Sequence, residues 1–154
     1  MSRYHRILVP LDDSVLGERA LDSALATAAW SKCGVVLLRW TASPVDFEAA
    51  GDDVQTDIKV MHQEIDELLA LAKARMKALE LPEIEVTAEV RGGKLVDTIV
   101  DAAEDLSCDL VVMGSQGRKG LADHLLGSTT EQVMKRTACS VFVVRTQGYP
   151  YLRT

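Results

Sequence analysis

Hydrophobic and polar residues along the chain alternate in blocks that predict strands and helices in turn. Five short runs are rich in Val, Ile and Leu, which is typical of buried strands. They are Arg6 to Leu11, Val35 to Trp40, Glu85 to Val90, Asp109 to Met113 and Ser140 to Arg145. Four of these runs are largely apolar, whereas the third alternates from Ile84 to Val90 and is therefore predicted to lie at a sheet edge.

Between the strands lie four segments with helical periodicity. These segments are Leu16 to Lys32, Asp57 to Glu80, Leu95 to Leu106 and Thr129 to Thr137. Strands that alternate with helices predict an α/β fold in three layers, with helices on both faces of an open, mostly parallel, Rossmann-like sheet. If the first three strands wind one way and the fourth returns to the other side of the first, the strand order is 3-2-1-4-5.

The rest of the chain is predicted to contain little regular structure. Thr41 to Thr56 has no clear periodicity and predicts a long loop, and the tail after Arg145 is too short for another element. With 154 residues in total, the length suits one domain of ordinary size. We therefore expect residues 1–154 to form a single domain.

Composition restricts the classes of partner. Lys and Arg total 17 against 23 Asp and Glu, a net charge of −6, so the surface repels nucleic acid and anionic lipid. No apolar run approaches the roughly 20 residues of a membrane-spanning helix, and Ile7 to Leu11 is too short for a secretory signal. Cys33, Cys108 and Cys139 are odd in number and lack CxxC spacing. We therefore expect reduced thiols in a cytoplasmic protein, with no nucleic acid and no membrane as partner.

The predicted topology indicates where a ligand would bind. In an open α/β sheet, ligands bind beyond the carboxyl ends of the strands, where the strand order reverses. For the order 3-2-1-4-5, that crevice lies between strands one and four. The strand ends that bound it are Pro10-Leu11-Asp12-Asp13-Ser14 and Met113-Gly114-Ser115-Gln116-Gly117.

A glycine motif follows the fourth strand and ends where the last helix is predicted to begin. It reads Gly114-x2-Gly117-x9-Gly127-Ser128. Glycine lets the backbone turn or approach a ligand closely, and a helix amino terminus favours phosphate. The motif therefore predicts a polyphosphate cradle. Ser128-x-x-Glu131 also fits a capping box with glycines that serve only the turns, and both interpretations stay open.

Three segments together resemble the universal stress protein family. They are Ile7-Leu-Val-Pro-Leu-Asp-Asp-Ser14, Val35-Val-Leu-Leu-Arg-Trp40, and Asp109-Leu-Val-Val-Met-Gly-Ser-Gln-Gly-Arg118 with Leu125-Leu-Gly-Ser128. The resemblance covers nearly the whole chain and implies the adenine nucleotide alpha hydrolase-like form of the fold. Because the glycine motif is intact, the resemblance also implies the ATP-binding branch, with Mg²⁺ held through the nucleotide phosphates.

The resemblance assigns roles around the crevice. It implies an ATP-binding set of Pro10, Leu11, Asp12, Trp40, Met113, Gly114, Ser115, Gly117, Arg118, Gly127, Ser128 and Thr129. Within this set, Asp12 would face the adenosine, and Met113 and Gly114 would line the base and ribose. Gly117, Gly127, Ser128 and Thr129 would hold the phosphates, which Arg118 flanks.

Two residues depart from the family pattern. At the position of Trp40, the family typically has a small aliphatic residue, whose main chain reads adenine. At the position of Gln116, histidine is common in the family. The bulky indole either stacks on the base or blocks it. Adenine recognition is therefore less firmly predicted than phosphate binding.

Asp12 and Asp13 also suggest a phosphoacceptor receiver domain, in which paired acids hold Mg²⁺. That class needs an acceptor Asp after the third strand and a Lys after the fifth, where this chain has Arg91-Gly92-Gly93 and Arg145-Thr146. A nucleotide binder is therefore favoured over a receiver, and Asp13 is interpreted as a solvated loop acid or a helix cap. Lys94 does not complete a P-loop, and no nucleophile with a matching base or cluster of metal ligands is apparent.

The last strand, Ser140 to Val144, has no charge or proline to protect it at an edge. The family resemblance implies a homodimer through this strand, whereas the alternative is cover by the tail from Gln147 to Thr154. We predict the homodimer.

These features predict an ATP-binding protein that acts as a nucleotide-dependent switch or adaptor in a stress response, with an unidentified protein partner. No base or P-loop lysine for phosphoryl transfer is apparent, so dedicated catalysis is not expected. Slow ATP hydrolysis, self-phosphorylation on Ser128 or Thr129, and a nucleotide-independent interaction module stay open as alternatives.

Overall fold

Strands and helices alternate in the computed structural model, which describes residues 3–41, 53–116 and 126–145. The elements are β1 (Arg6–Pro10), α1 (Val15–Ser31), β2 (Gly34–Thr41), α2 (Asp53–Ala78), β3 (Val86–Gly92), α3 (Leu95–Asp105), β4 (Leu110–Gly114), α4 (Ser128–Arg136) and β5 (Ser140–Val144). The predicted alternation is confirmed. Within the described ranges, no helix is both long and apolar enough to cross a bilayer.

The largest error in the predicted boundaries is at the start of α2. The segment from Thr41 to Thr56 was expected to be a loop, but Thr41 ends β2 and α2 begins at Asp53. The rest of the predicted loop, residues 42–52, lies outside the described residues. The first turn of α2, from Asp53 to Thr56, has a single apolar residue, Val54, so hydrophobic periodicity does not mark it.

The five strands form one parallel sheet in the order β3-β2-β1-β4-β5, as predicted. β1 lies in the centre and pairs with β2 on one side, from Arg6 opposite Gly34 to Pro10 opposite Leu38. On its other side, β1 pairs with β4. β3 lies at the edge that its alternating pattern predicted, and its residues are mostly half-buried.

The core has two layers because successive strand residues point to opposite faces of the sheet. Ile7 and Val9 pack with α1 and α2 on one face, while Leu8 packs with α3 and α4 on the other. All three side chains are fully buried. Burial of each such side chain contributes about 1.5–3 kcal/mol, so the central strand anchors both helical layers.

The helix amino ends correct two predictions. Ser14, not Asp13, caps α1, because the Ser14 side chain accepts a hydrogen bond from the N–H of Gly17. In α4 the N-cap is Gly127, whose backbone is extended (φ −62°, ψ 149°) and which offers no side-chain cap. Ser128 is already the first helical residue. The capping box at Ser128 and Glu131 is therefore wrong, because the Ser128 hydroxyl lies one position too far along the chain to cap.

A carboxylate joins the strands at the amino edge of the sheet. Asp109 accepts hydrogen bonds from the backbone N–H groups of His5 (3.0 Å) and Arg6 (3.1 Å), and its carboxylate lies 3.0 Å from His5 Nδ1. Partial burial acts to raise the pKa of Asp109, but these hydrogen bonds outweigh it and lower the pKa below its usual value. The ionised carboxylate therefore stabilises the start of β1 against β4.

Asp109→Asn is expected to lower the free energy of unfolding by about 1 kcal/mol at pH 7, since it removes charge-assisted hydrogen bonds at a partly exposed site. The pKa of Asp109 is lowered in the folded state, so its contribution is complete above the unfolded pKa of about 4. The contribution is lost as the pH falls through the folded pKa. Urea unfolding of both proteins between pH 7 and about pH 3 measures the difference.

The matched control is Asp101→Asn, which removes an exposed acid from α3. Its effect on unfolding is expected to be small at every pH. A difference between wild type and Asp109→Asn that stays constant down to pH 3 would show that ionisation of Asp109 does not stabilise the fold.

Candidate functional site

At the carboxyl edge of the sheet, the chain leaves β1 through a hydrogen-bonded turn. The N–H of Leu11 donates to the carbonyl of Leu38 at 2.9 Å, which extends the pairing of β1 with β2. The Asp12 carboxylate accepts from the N–H of Ser14 at 3.1 Å and from the Ser14 hydroxyl. Asp12 is thereby held, partly exposed, at the amino end of α1.

Gly17 permits this tight turn. A Cβ at Gly17 would lie 2.7 Å from the carbonyl oxygen of Asp12 and 2.9 Å from its carboxylate, closer than side-chain atoms normally approach. The first turn of α1 therefore packs directly against Asp12. Sequence reasoning missed this role of Gly17, for which a glycine within the first turn of a predicted helix was the only signal.

The end of β4 is fastened to the start of α4. The Thr130 hydroxyl donates to the carbonyl of Gly114 at 2.8 Å, and the N–H of Gly127 donates to the carbonyl of Ser115 at 2.7 Å. Ser115 also donates its N–H to the carbonyl of Val144 in β5 at 2.7 Å. These bonds hold the amino end of α4 beside the carboxyl end of β4. Thr130, which is buried, was missed from the sequence because its partner is distant along the chain.

The amino end of α4 presents backbone donors. The N–H of Glu131 bonds the carbonyl of Gly127 at 3.0 Å, so the N–H groups of Ser128 and Thr129 precede the helical hydrogen-bond ladder. Ser128 is exposed and Thr129 is half-buried. Such an arrangement favours an anion through both the donors and the helix dipole.

The structure brings most of the sequence-predicted site residues to one edge. Pro10, Leu11 and Asp12 end β1, and Met113, Gly114 and Ser115 end β4, the neighbouring strand. Gly127, Ser128 and Thr129 begin α4. Two predicted residues, Gly117 and Arg118, lie outside the residues that the structure describes.

Trp40 lies near the end of β2, which is on the opposite side of β1 from β4. Its indole Nε1–H donates to the carbonyl of Gly93 at 2.7 Å, and 37% of the residue is exposed. The side chain is thus directed toward the turn between β3 and α3. Gln116, the second departure from the family pattern, is buried at the end of β4.

The paired acids at the end of β1 have different partners. Asp13 forms an ion pair with Arg39 of β2 at 3.1 Å, whereas Asp12 bonds Ser14. In the part of the chain that the structure describes, no group of three or more His, Cys, Asp or Glu side chains is arranged to hold a metal ion. The geometry therefore does not favour the receiver interpretation of Asp12 and Asp13.

The thiols lie away from this edge, near the amino ends of the strands. Burial raises the pKa of the Cys108 thiol to about 11 and also raises the pKa of Cys33. The Cys139 thiol donates to the carbonyl of Cys108 at 2.9 Å. Since the thiolate is the nucleophilic form, Cys33 and Cys108 are packing groups at neutral pH.

The fold defines an open, doubly wound α/β protein whose strand order reverses between β1 and β4, the position where ligands bind in such sheets. The model of the universal stress protein family matches residues 3–145, and the chain belongs to that family. The universal stress protein of Methanothermobacter thermautotrophicus is 29% identical over 143 residues, which cover 93% of this chain and 97% of that protein.

Solved structures agree with this assignment. The structure of the protein MJ0577 matches with a TM-score of 0.71 and 29% identity, covering 96% of this chain and all of that one. A universal stress protein solved in complex with cAMP matches with a TM-score of 0.67 and 25% identity, covering 95% of this chain and all of that one. The family expected from the sequence is confirmed.

Gly114→Ala is expected to destabilise the fold by about 1–3 kcal/mol through overpacking. A Cβ at Gly114 would lie 2.9 Å from Cβ of Leu16 and 3.2 Å from the carbonyl oxygen of Gln116, and neither is the end of a flexible side chain. Chemical denaturation of the variant and the wild type measures the change.

Gly34→Ala is the matched control, because a Cβ at the start of β2 would make only an ordinary contact of 3.5 Å with the carbonyl oxygen of Glu85. Its effect is expected to stay within about 0.5 kcal/mol. Equal effects of the two substitutions would show that the close approach of Leu16 to Gly114 does not constrain this edge.

Proposed function

We propose that this protein binds an adenine nucleotide, ATP with Mg²⁺, in the crevice between the ends of β1 and β4, and that it acts as a nucleotide-dependent switch or adaptor in a stress response. The observation that carries the proposal is the amino end of α4, held beside β4 by the bonds from Thr130 and Gly127. The three cysteines are unpaired and lack CxxC spacing, which suits reduced thiols, and we propose a cytoplasmic location.

The phosphates would lie at the amino end of α4. Gly127 has no side chain, and the N–H groups of Ser128 and Thr129 precede the helical ladder. Gly117 and Arg118, which the structure does not describe, complete the glycine motif in the sequence. In this motif the backbone, rather than a lysine, supplies the donors.

The adenosine would lie across the end of β1. Asp12 is held in position by Ser14, beside Pro10 and Leu11, and Met113 and Gly114 border the crevice from β4. The universal stress protein solved with cAMP, which is 25% identical to this chain, supports an adenine nucleotide as the class of ligand. ATP is the form that the intact glycine motif favours.

Charge at this edge explains why Mg²⁺ is part of the proposal. The chain carries a net charge of −6, and two acids, Asp12 and Asp13, stand beside the crevice. Arg39 offsets the charge of Asp13 through an ion pair at 3.1 Å. The dipole of α4 and a divalent cation on the phosphates would offset the remaining repulsion.

Ser128→Glu is expected to weaken Mg·ATP binding by about tenfold or more, because a carboxylate at the first position of α4 repels phosphate. The same substitution is expected to leave the melting temperature unchanged or raised, since an acid at a helix amino end interacts favourably with the dipole. Calorimetry with Mg·ATP and thermal unfolding without nucleotide measure the two effects.

The control is Gln132→Glu, which adds the same charge at an exposed position one turn further along α4. Its affinity for Mg·ATP is expected to stay within about twofold of wild type, because the added charge lies beyond the first turn of the helix. Equal losses in both variants would indicate a general charge effect. A wild-type protein that neither releases nucleotide on denaturation nor binds Mg·ATP would favour the nucleotide-independent interaction module.

We also propose a homodimer through β5. The strand pairs with β4 on one side, and the structure describes no strand paired with its other side. Phe142 in the middle of this strand is 45% exposed. An apolar edge of this kind is suited to pairing with a second copy.

Phe142→Glu is expected to convert the dimer to a monomer, because it places a charge within the apolar edge. Light scattering after size exclusion measures the mass. Val60→Glu changes a residue of α2, which packs by β3 at the opposite edge of the sheet from β5. Val60 is 51% exposed, and this variant should remain dimeric. A monomeric wild-type protein, or a dimeric Phe142→Glu variant, would refute pairing through β5.

A further inference from the structure

Trp40 extends past the crevice on the strand next to β1. β1 ends at Pro10, whose partner on β2 is Leu38, whereas β2 continues to Thr41. Beyond Leu38, β2 remains paired with β3, with Trp40 opposite Arg91. The indole is therefore carried by a paired strand, which positions it more rigidly than a loop would.

The indole lies on the same face of the sheet as α4. Residues two apart on a strand share a face, and Leu38 packs in the cluster that contains Met113 of β4 and Val133 of α4. Trp40 follows Leu38 by two positions. The Trp40 backbone therefore lies two strands from the end of β4, about 10 Å at the usual strand spacing, and the indole extends from there toward the turn after β3. An extended nucleotide with phosphates at α4 can reach this end of β2.

A hydrogen bond fixes the orientation of the ring. Trp40 Nε1–H donates to the carbonyl of Gly93 at 2.7 Å. Gly93 has φ of 121°, a conformation that side chains other than glycine rarely adopt. The hydrogen bond satisfies the indole N–H and fixes the plane of the ring. Because 37% of the residue is exposed, part of its apolar surface is accessible to a ligand.

We propose that the indole of Trp40 stacks on the base of the bound nucleotide and favours purines over pyrimidines. This inference rests on the proposed function, since it names the residue that selects the base at the same crevice. Stacking of a base on an aromatic ring is tolerant of sequence but scales with the size of the base. Loss of the ring is expected to weaken binding of ATP about tenfold.

The two tryptophans of the chain serve as reporter and control. Trp30 lies near the end of α1, where Arg3 covers its ring at 5.6 Å, at the opposite edge of the sheet from the crevice. In the full-length Trp30→Phe variant, freed of copurified nucleotide, Trp40 is the only tryptophan. Mg·ATP is expected to quench its fluorescence with saturation, whereas Mg·tripolyphosphate, which has no base, should leave it unchanged. In Trp40→Leu, the fluorescence of Trp30 should stay constant with both ligands.

Calorimetry on the same proteins gives the energetic test. Relative to Trp30→Phe, Trp40→Leu is expected to raise the Kd for ATP about tenfold, to raise the Kd for UTP less, and to leave the Kd for tripolyphosphate unchanged. Trp40→Phe keeps an aromatic ring but loses the N–H donor to Gly93. Its Kd for ATP should therefore lie between the Kd of Trp30→Phe and the Kd of Trp40→Leu.

The outcomes separate the two proposals. Unchanged Trp40 fluorescence at saturating ATP, or an equal or lower Kd for ATP in Trp40→Leu, would overturn stacking and leave the phosphate site intact. Failure of the wild-type protein to bind either ATP or tripolyphosphate would overturn the proposed function and stacking with it. The fluorescence measurement uses the Trp30→Phe variant, which retains Trp40, so its result does not depend on the folding of the Trp40→Leu variant.

Discussion

β1 pairs in parallel with β2 on one side and with β4 on the other, and the arrangement of the carboxyl edge depends on this central position. The chain winds outward from β1 through β2 to β3 and then crosses back to β4. The first helix covers one face and the helices that flank β4 cover the other. Helices that leave neighbouring strands toward opposite faces diverge at the carboxyl ends, and a crevice opens there.

Close backbone approaches set the shape of that crevice. Gly17 lets α1 begin against the Asp12 turn, and Gly114 lets β4 end against Leu16 of α1. The Thr130 hydroxyl then ties the start of α4 to the carbonyl of Gly114. The two glycine contacts place backbone where a side chain would otherwise stand, so the N–H donors that we propose for the nucleotide are near one another before any ligand arrives.

The two edges of the sheet have different chemistry. At the amino edge, the Asp109 carboxylate binds the start of β1, and the thiols of Cys33 and Cys108 are held protonated by burial. The Asp109 hydrogen bonds and the burial of these thiols contribute to stability. At the carboxyl edge, Ser128 and part of the Trp40 side chain remain exposed. Ligand binding is therefore expected at the edge where the protein satisfies its polar groups least completely.

The local hydrophobic pattern was sufficient to predict the strands, the order of the elements and the edge position of β3. Burial on one or both faces of a strand imposes a characteristic spacing of apolar residues in the sequence. The glycine motif and the strand ends predicted the candidate site, and the resemblance to universal stress proteins identified the family, which the family model confirms. The start of α2 at Asp53 was not predicted, since a first turn with one apolar residue carries no hydrophobic period. The capping box at Ser128 was predicted wrongly, because a cap depends on which residue has extended backbone.

Only the tertiary structure decided how the site is assembled. Thr130 meets Gly114, Asp13 meets Arg39, and Trp40 meets Gly93 across separations of 16, 26 and 53 positions. The sequence alone determined which residue types were available and which apolar runs would form the buried strands. Which distant groups came within hydrogen-bond distance depended on strand register and on the angle at which each helix packs, and these arise from the whole core rather than from any local segment.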